Sequence, residues 1–199
     1  FVSKSIKKIP KNIYPHTFHK VKGVGVYLDY ASGVLPNPSS IHKEGVNMKK
    51  KLEDARTKVA NILHARKSEI VFTSGGTESN NLAIQGAIFS QKTKNILHIV
   101  TTNIEHSSVL ETFKILEKRR LAQITIVPVE TNGIVDPKKI RQALRPNTIL
   151  VSVMYANNEI GTVQPIKEIA KEVRHFNKIN KTRIFFHTDA VQAVNYLDL

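Results

Sequence analysis

Apolar residues at Met48, Leu52, Ala55, Val59 and Ile62 recur at steps of four, three, four and three. That is the spacing of one face of an amphipathic helix, and Ser39 and Ser40 precede it as candidate caps. Downstream the pattern alternates. Short apolar runs at Glu69–Thr73, Ile96–Thr101, Ile124–Val129, Thr148–Met154 and Arg183–Phe186 read as strands. Between them lie helical patterns from Thr77 to Phe89 and from His106 to Lys118, with Val109, Phe113 and Leu116 inward. Asp136-Pro137 pairs a cap with a proline at the first helical position. Pro165 opens a further helix carrying Ile166, Ile169, Val173 and Phe176. Strands alternating with helices from Tyr27 onward predict an α/β fold, a mostly parallel sheet flanked by helices. No internal repeat or low-complexity tract divides the chain.

Composition narrows the class. With 199 residues, 41% of them apolar, the chain is long enough to bury a core, and no apolar run reaches the ~18–20 residues of a membrane-spanning helix. Cysteine is absent, which excludes disulfides, thiolate metal sites and a cysteine nucleophile within these residues. Thirty Lys and Arg against sixteen Asp and Glu give a formal charge of +14. Six of the lysines fall between Phe1 and Leu28, where there is no acid. Residues 1–26 read as a basic extension, since they lack both the apolar core of a secretory signal and the arginines of a transit peptide. Removing those six charges from +14 leaves +8 on the remainder, so the basicity is diffuse. A nucleic-acid-binding module is therefore the weaker reading: aromatics are only 7% and do not alternate with basic residues. The first residue is Phe1, and Asn195–Leu199 stop without a terminal helix. Both ends read as interrupted.

In open parallel sheets, ligands bind beyond the carboxyl ends of the strands. Four of the five predicted strands deliver polar residues there: Ser74-Gly75-Gly76-Thr77-Glu78, Asn103-Ile104-Glu105-His106, Tyr155-Ala156-Asn157-Asn158-Glu159 and His187-Thr188-Asp189. The strand at Ile124–Val129 leads instead to a plain Asn132-Gly133 turn. Gly75 and Gly76 allow close approach of the backbone, and the helix behind them offers N–H groups and a positive dipole end. This suits a phosphate, although a structural tight turn has the same signature. It is neither a nucleotide P-loop nor a dinucleotide fingerprint. His106 reads equally as a helix cap or as a functional imidazole. His187 and Asp189 lie on one strand face as a possible metal pair, but no third ligand accompanies them, and no metal is assigned. A carboxylate at Asp189 has another use, pairing with a protonated heteroaromatic nitrogen such as that of pyridoxal phosphate.

Thr73-Ser74-Gly75-Gly76-Thr77-Glu78-Ser79-Asn80-Asn81-Leu82-Ala83-Ile84 resembles the phosphate-binding segment of cysteine desulfurases. These are class V aminotransferase-group, fold-type I pyridoxal-phosphate enzymes. In the same order, Tyr27-Leu28-Asp29-Tyr30, Asn37-Pro38-Ser39-Ser40-Ile41-His42, Glu105-His106, Asn157-Asn158-Glu159-Ile160-Gly161 and His187-Thr188-Asp189-Ala190-Val191-Gln192 agree with that family. The resemblance implies that residues 27–199 form a partial pyridoxal-phosphate-binding large domain. In it Thr77, with Gly75 and Gly76, would bind the phosphate. His106 would stack on the pyridine ring and assist proton transfer, so it is the candidate catalytic residue. Asp189 would pair with the ring nitrogen, and Asn158 and Gln192 would lie near the phenolic oxygen. The implied reaction converts L-cysteine to L-alanine and passes sulfur as a persulfide to an acceptor, an iron–sulfur scaffold or a tRNA-thiolation enzyme. The implied enzyme is a cytoplasmic homodimer with no membrane partner.

Two departures from the family pattern stand out. Only Ala31 to Pro36 separates the Leu-Asp-Tyr and Asn-Pro-Ser-Ser motifs, where the family carries a longer segment that shapes the substrate pocket. The family's Schiff-base lysine, its persulfide cysteine, its small C-terminal domain and its carboxylate-binding arginine have no counterpart in the chain. The expectation is thus a fragment inactive alone. A selenocysteine lyase or another class V lyase or transaminase shares these motifs, and a remnant that keeps the fold without the chemistry is a third reading.

Overall fold

A computed structural model describes residues 36–93, 95–194 and 196–197. The basic extension 1–26, the Tyr27–Tyr30 motif and nearly all of the shortened 31–36 segment lie outside the described residues. The chain falls into two compact units that divide between Ile70 and Val71. No helix among the described residues is long and apolar enough to cross a membrane.

The described part of the first unit is dominated by α1 (Lys43–Ile62). Its cap is His42, not Ser39 or Ser40: His42 Nδ1 accepts from the Gly45 amide at 3.1 Å. The two serines instead belong to a turn organised by Asn37, whose side chain accepts from Ser39 N and whose carbonyl accepts from Ser40 N. That turn lies hard against the helix start. A methyl group at Gly45 would sit 2.7 Å from the carbonyl oxygens of both Asn37 and Ser40. Gly45→Ala should therefore cost about 1–3 kcal/mol of overpacking. A thermal midpoint equal to that of the parent would disprove the close fit. The expected strand at Glu69–Thr73 does not form. Lys67–Glu69 is a short 3-10 turn and residues 70–73 belong to no strand, with Val71 66% exposed. A short apolar run becomes a strand only when a neighbour supplies its ladder.

The second unit is a three-layer α/β sandwich. Its elements are α2 (Gly76–Phe89), β1 (Leu97–Thr102), α3 (Ser107–Lys118), β2 (Ala122–Val127), α4 (Pro137–Ala143), β3 (Thr148–Ser152), α5 (Ile166–Asn180) and β4 (Phe185–His187). The strands are all parallel, in the order β2-β1-β3-β4. The chain thus steps outward from β1 to β2, then crosses back over β1 to β3 and β4. Right-handed crossovers require helices on opposite faces when the direction reverses. Accordingly α2 and α3 pack Ile84, Ile88, Val109, Phe113 and Leu116 on one face, and α4 and α5 pack Ile140, Ile169 and Val173 on the other.

The sheet alternates as the pleat demands, Ile99 to the first face and Val100 to the second. The pairing of β1 with β3 slips one residue at Ile149, so Ile149 and Leu150 both enter the first core. His98 is fully buried in the middle strand. Its ring joins Thr148 Oγ1 of β3 at 2.7 Å and Thr125 Oγ1 of β2 at 2.8 Å, lacing three strands together. Burial, with a smaller push from Arg145, lowers its pKa to about 4. The α/β class and the parallel sheet expected from the sequence are what the chain adopts. Two strands shift by about two residues: β2 starts and ends earlier than expected, and β4 ends at His187 rather than Phe186.

Candidate functional site

The reversal of winding leaves a switch point beyond the carboxyl ends of β1 and β3, where open α/β sheets bind ligands. The segment after β1 carries Glu105 and His106, the segment after β3 carries Asn157 and Asn158, and Asp189 follows β4.

Hydrogen bonds tie these segments to one another. Tyr155 N donates to the Asp189 carbonyl at 2.8 Å, so the β3 and β4 exits run together. Asn157 Nδ2 donates to the Ile104 carbonyl at 2.9 Å, which joins the β3 exit to the β1 exit. The Asn157 carbonyl oxygen of the side chain accepts from Glu159 N and Ile160 N, so Asn157 shapes its own loop. Glu105 repeats the join from the other side. Its Oε1 accepts from Thr102 Oγ1 at 2.6 Å and from Met154 N at 2.9 Å. Its Oε2 is buried with no partner among the described residues. Burial outweighs those two bonds, and with the nearby Asp189 charge it lifts the Glu105 carboxyl to a pKa of about 7.

Asp189 is 9% exposed and accepts at both oxygens, from Val191 N on Oδ1 at 3.1 Å and from Asn80 Nδ2 on Oδ2 at 2.8 Å. Each carboxylate oxygen has room for a second donor, so two acceptor positions remain for a ligand. His106 is the exposed N-cap of α3, its Nδ1 accepting from Ser108 N at 3.1 Å. His106 is therefore a helix cap, and the cap leaves its Nε2 outside these bonds. Gly75 is the N-cap of α2 and has no side chain to satisfy the first amides. A methyl group on Gly76 would lie 2.8 Å from Val191 Cγ2, so the helix start touches the segment that follows Asp189. Thr77 sits exposed in that first turn, and Asn158 and Gln192 are exposed as well. Gly76, His106 and Asp189 are thus brought together through direct contacts or short hydrogen-bonded chains. Asn158 stands one residue beyond the anchored Asn157, and Gln192 one beyond Val191.

Among the described residues, no group of three His, Cys, Asp or Glu that could hold a metal ion includes His187 and Asp189. His187 Nδ1 bonds to Ser152 Oγ at 2.8 Å, and burial lowers its pKa against the opposing pull of Asp189. Sequence reasoning missed Asn80 and Ser108 as parts of this site, and it brought Glu105 to this edge without giving it a role. Asn80 and Glu105 stand inside quoted motifs, but only the fold reveals that they face Asp189 and Met154.

The Aminotransferase class-V profile matches residues 22–198. The chain belongs to the class-V aminotransferase family. It is 44% identical over 189 residues to the cysteine desulfurase IscS of Dictyoglomus turgidum, across 86% of this chain and 46% of that protein. It is 42% identical to the mitochondrial cysteine desulfurase of Candida albicans, across 83% of this chain and 33% of that protein. Among solved structures, a NifS-like protein superposes with a TM-score of 0.76 at 37% identity, covering 82% of this chain and 43% of that one. A structure described as SspA in complex with cysteine also gives 0.76, at 38% identity, covering 85% and 47%. The chain spans less than half the length of these class-V relatives. The family works with pyridoxal phosphate.

Proposed function

We propose that this chain is the cofactor-holding part of a pyridoxal-phosphate-dependent cysteine desulfurase. The observation that carries the proposal is the buried strand-end carboxylate of Asp189, hydrogen-bonded through two side chains to His106, beside a helix start that has no side-chain cap. The donor set fits the cofactor. An anionic phosphate suits the first-turn amides of α2 and the Thr77 hydroxyl. A ring N–H suits the two open acceptor positions of Asp189. Thr188, next to Asp189, also has a buried hydroxyl without a partner among the described residues.

In this reading Gly75, Gly76 and Thr77 bind the phosphate. Asp189 holds a proton on the ring nitrogen through a charge-assisted hydrogen bond. His106 would stack on the ring and assist proton transfer through Nε2, since Nδ1 is already engaged by Ser108. Asn158 and Gln192, both exposed, serve the phenolic oxygen. When bound, pyridoxal phosphate supplies the electron sink for the charge that develops at the substrate Cα. The substrate is L-cysteine and the products are L-alanine and a persulfide. The thiolate that takes the sulfur comes from outside these residues, which contain no cysteine. A homodimer, a cytoplasmic setting and an iron–sulfur scaffold or tRNA-thiolation enzyme as acceptor complete the proposal.

The test is turnover of L-cysteine by the full-length protein loaded with pyridoxal phosphate, with alanine and sulfide measured together under reductant. Equal yields are expected; bound cofactor with no alanine would reject the activity. Thr77→Ala loses one hydroxyl bond to a charged group, worth roughly 1.5–3 kcal/mol. It should weaken cofactor binding about tenfold to a hundredfold, with most turnover restored at saturating cofactor. Turnover that stays low at saturation would remove Thr77 from the phosphate site.

A further inference from the structure

We infer that Asn80 and Ser108 are positioning residues that bridge the Asp189 carboxylate to the His106 imidazole and hold His106 with its ring proton on Nε2. The functional meaning of the bridge rests on the proposed cofactor site, whereas its geometry rests on hydrogen bonds within the protein.

Asn80 lies in the second turn of α2 and is 4% exposed. Its amide has two N–H groups, and both are used. One donates to Asp189 Oδ2 at 2.8 Å and the other to Ser108 Oγ at 3.0 Å. The orientation follows from chemistry, because an ionised carboxylate only accepts, so the amide oxygen cannot face it. The Ser108 hydroxyl, having accepted from Asn80, turns its own hydrogen to His106 Nδ1 at 2.8 Å. The same ring nitrogen receives the Ser108 amide at 3.1 Å. An amide can only donate, so Nδ1 keeps its lone pair and the proton stays on Nε2. Nε2 is then the one ring nitrogen able to donate, on a side chain that is itself exposed.

Three separate elements meet at this bridge: α2, the start of α3 and the segment after β4. The residue type at position 80 is restricted by what it must do there. Leucine has no donors, and aspartate would set a second negative charge against Asp189. Serine, being shorter, cannot span to both partners. Ser108 likewise must both accept and donate, which alanine cannot.

The experiment uses the full-length protein with labelled histidine, its cofactor removed, and reads the His106 ring tautomer by nitrogen NMR. The parent should show the Nε2–H form. Ser108→Ala keeps the backbone amide bond but loses the hydroxyl, and should shift the tautomer ratio toward Nδ1–H about fivefold. Ser108→Thr should restore the parent ratio. Asn80→Ser should shift the ratio similarly and weaken pyridoxal phosphate binding only about twofold to fivefold, because it frees Asp189 without removing it. An unchanged tautomer ratio in folded Ser108→Ala would overturn the bridge. If Asn80→Ser does not fold, the Ser108→Ala and Ser108→Thr pair still decides. Failure of the cofactor reading is told apart by the parent and Asp189→Asn proteins with cofactor. Normal turnover in Asp189→Asn would reject the cofactor role while leaving the tautomer result to judge the bridge.

Discussion

Asp189→Asn in the full-length enzyme is expected to lower turnover by on the order of a hundredfold to a thousandfold, the range seen when a charge-stabilising contact at a reacting centre is removed. Cofactor affinity should change by less than about tenfold, because the phosphate contacts of the α2 start contribute separately. The asparagine amide has nearly the same shape as the carboxylate, but it cannot hold a ring nitrogen protonated through a charge-assisted bond. The structure also predicts the cost to the apo fold. Asp189 accepts from Asn80 Nδ2 and from Val191 N, whereas an amide has one oxygen for the two donors. The oxygen should turn to Asn80, which is buried, leaving the Val191 amide beside a side chain that is 59% exposed. That donor can turn to water, so the thermal midpoint should fall only slightly. A purely structural Asp189 gives a different result, with turnover falling only as far as stability does. Turnover, cofactor affinity and thermal midpoint measured on the same preparation separate the two accounts. Normal turnover with bound cofactor would remove the main physical support for pyridoxal-phosphate chemistry.

The layout of this site was visible in the sequence where local rules govern it. The helical patterns marked α2 and α3 to within one residue and the start of α5 at Pro165, because each helix buries an apolar stripe. The Asp136-Pro137 start of α4 follows from capping chemistry, with Asp136 accepting from Lys138 N at 2.8 Å. The positions of the polar residues after β1, β3 and β4 followed from the parallel-sheet rule, whereas Ser74–Glu78 follows no strand among the described residues. What the sequence could not show depends on partners far along the chain. Glu69–Thr73 has strand composition, but a ladder comes from a neighbour. His42 displaced Ser39 and Ser40 as the α1 cap because the Asn37 turn draws in the serine amides. Asn80 and Asp189 are 109 positions apart. Glu105 meets Met154 only because β1 and β3 are neighbours across the switch point.

Glu105→Gln is expected to gain stability over the parent as pH rises. The Glu105 carboxyl is lifted from 4.5 to about 7, chiefly by burial. A carboxyl with a raised folded-state pKa binds its proton more tightly in the folded chain. The parent is therefore most stable, as far as this group is concerned, below pH 4.5, and it loses stability as pH rises through 7. The full loss amounts to about 3 kcal/mol, or roughly 6–12 °C in thermal midpoint for a chain of this size. Glutamine keeps an oxygen for the Thr102 hydroxyl and the Met154 amide and carries no titrating proton. Its amide hydrogens occupy the place of Oε2, which has no partner among the described residues, at a cost that does not depend on pH. The quantity to measure is thus the difference in midpoint between variant and parent, at pH 5 and at pH 8.5. It should rise by roughly three-quarters of that amount between the two, since the loss has already begun at pH 5. His98 acts in the opposite sense, its pKa of about 4 removing stability as pH falls from 6.5, but it is common to both proteins and cancels in the difference. In the Asp189→Asn background the rise should be smaller, because the facing charge that helps to raise the Glu105 pKa is gone. A difference that stays flat from pH 5 to pH 8.5 would mean that Glu105 ionises as readily in the folded chain as in the unfolded one, and would overturn burial as the cause of its raised pKa.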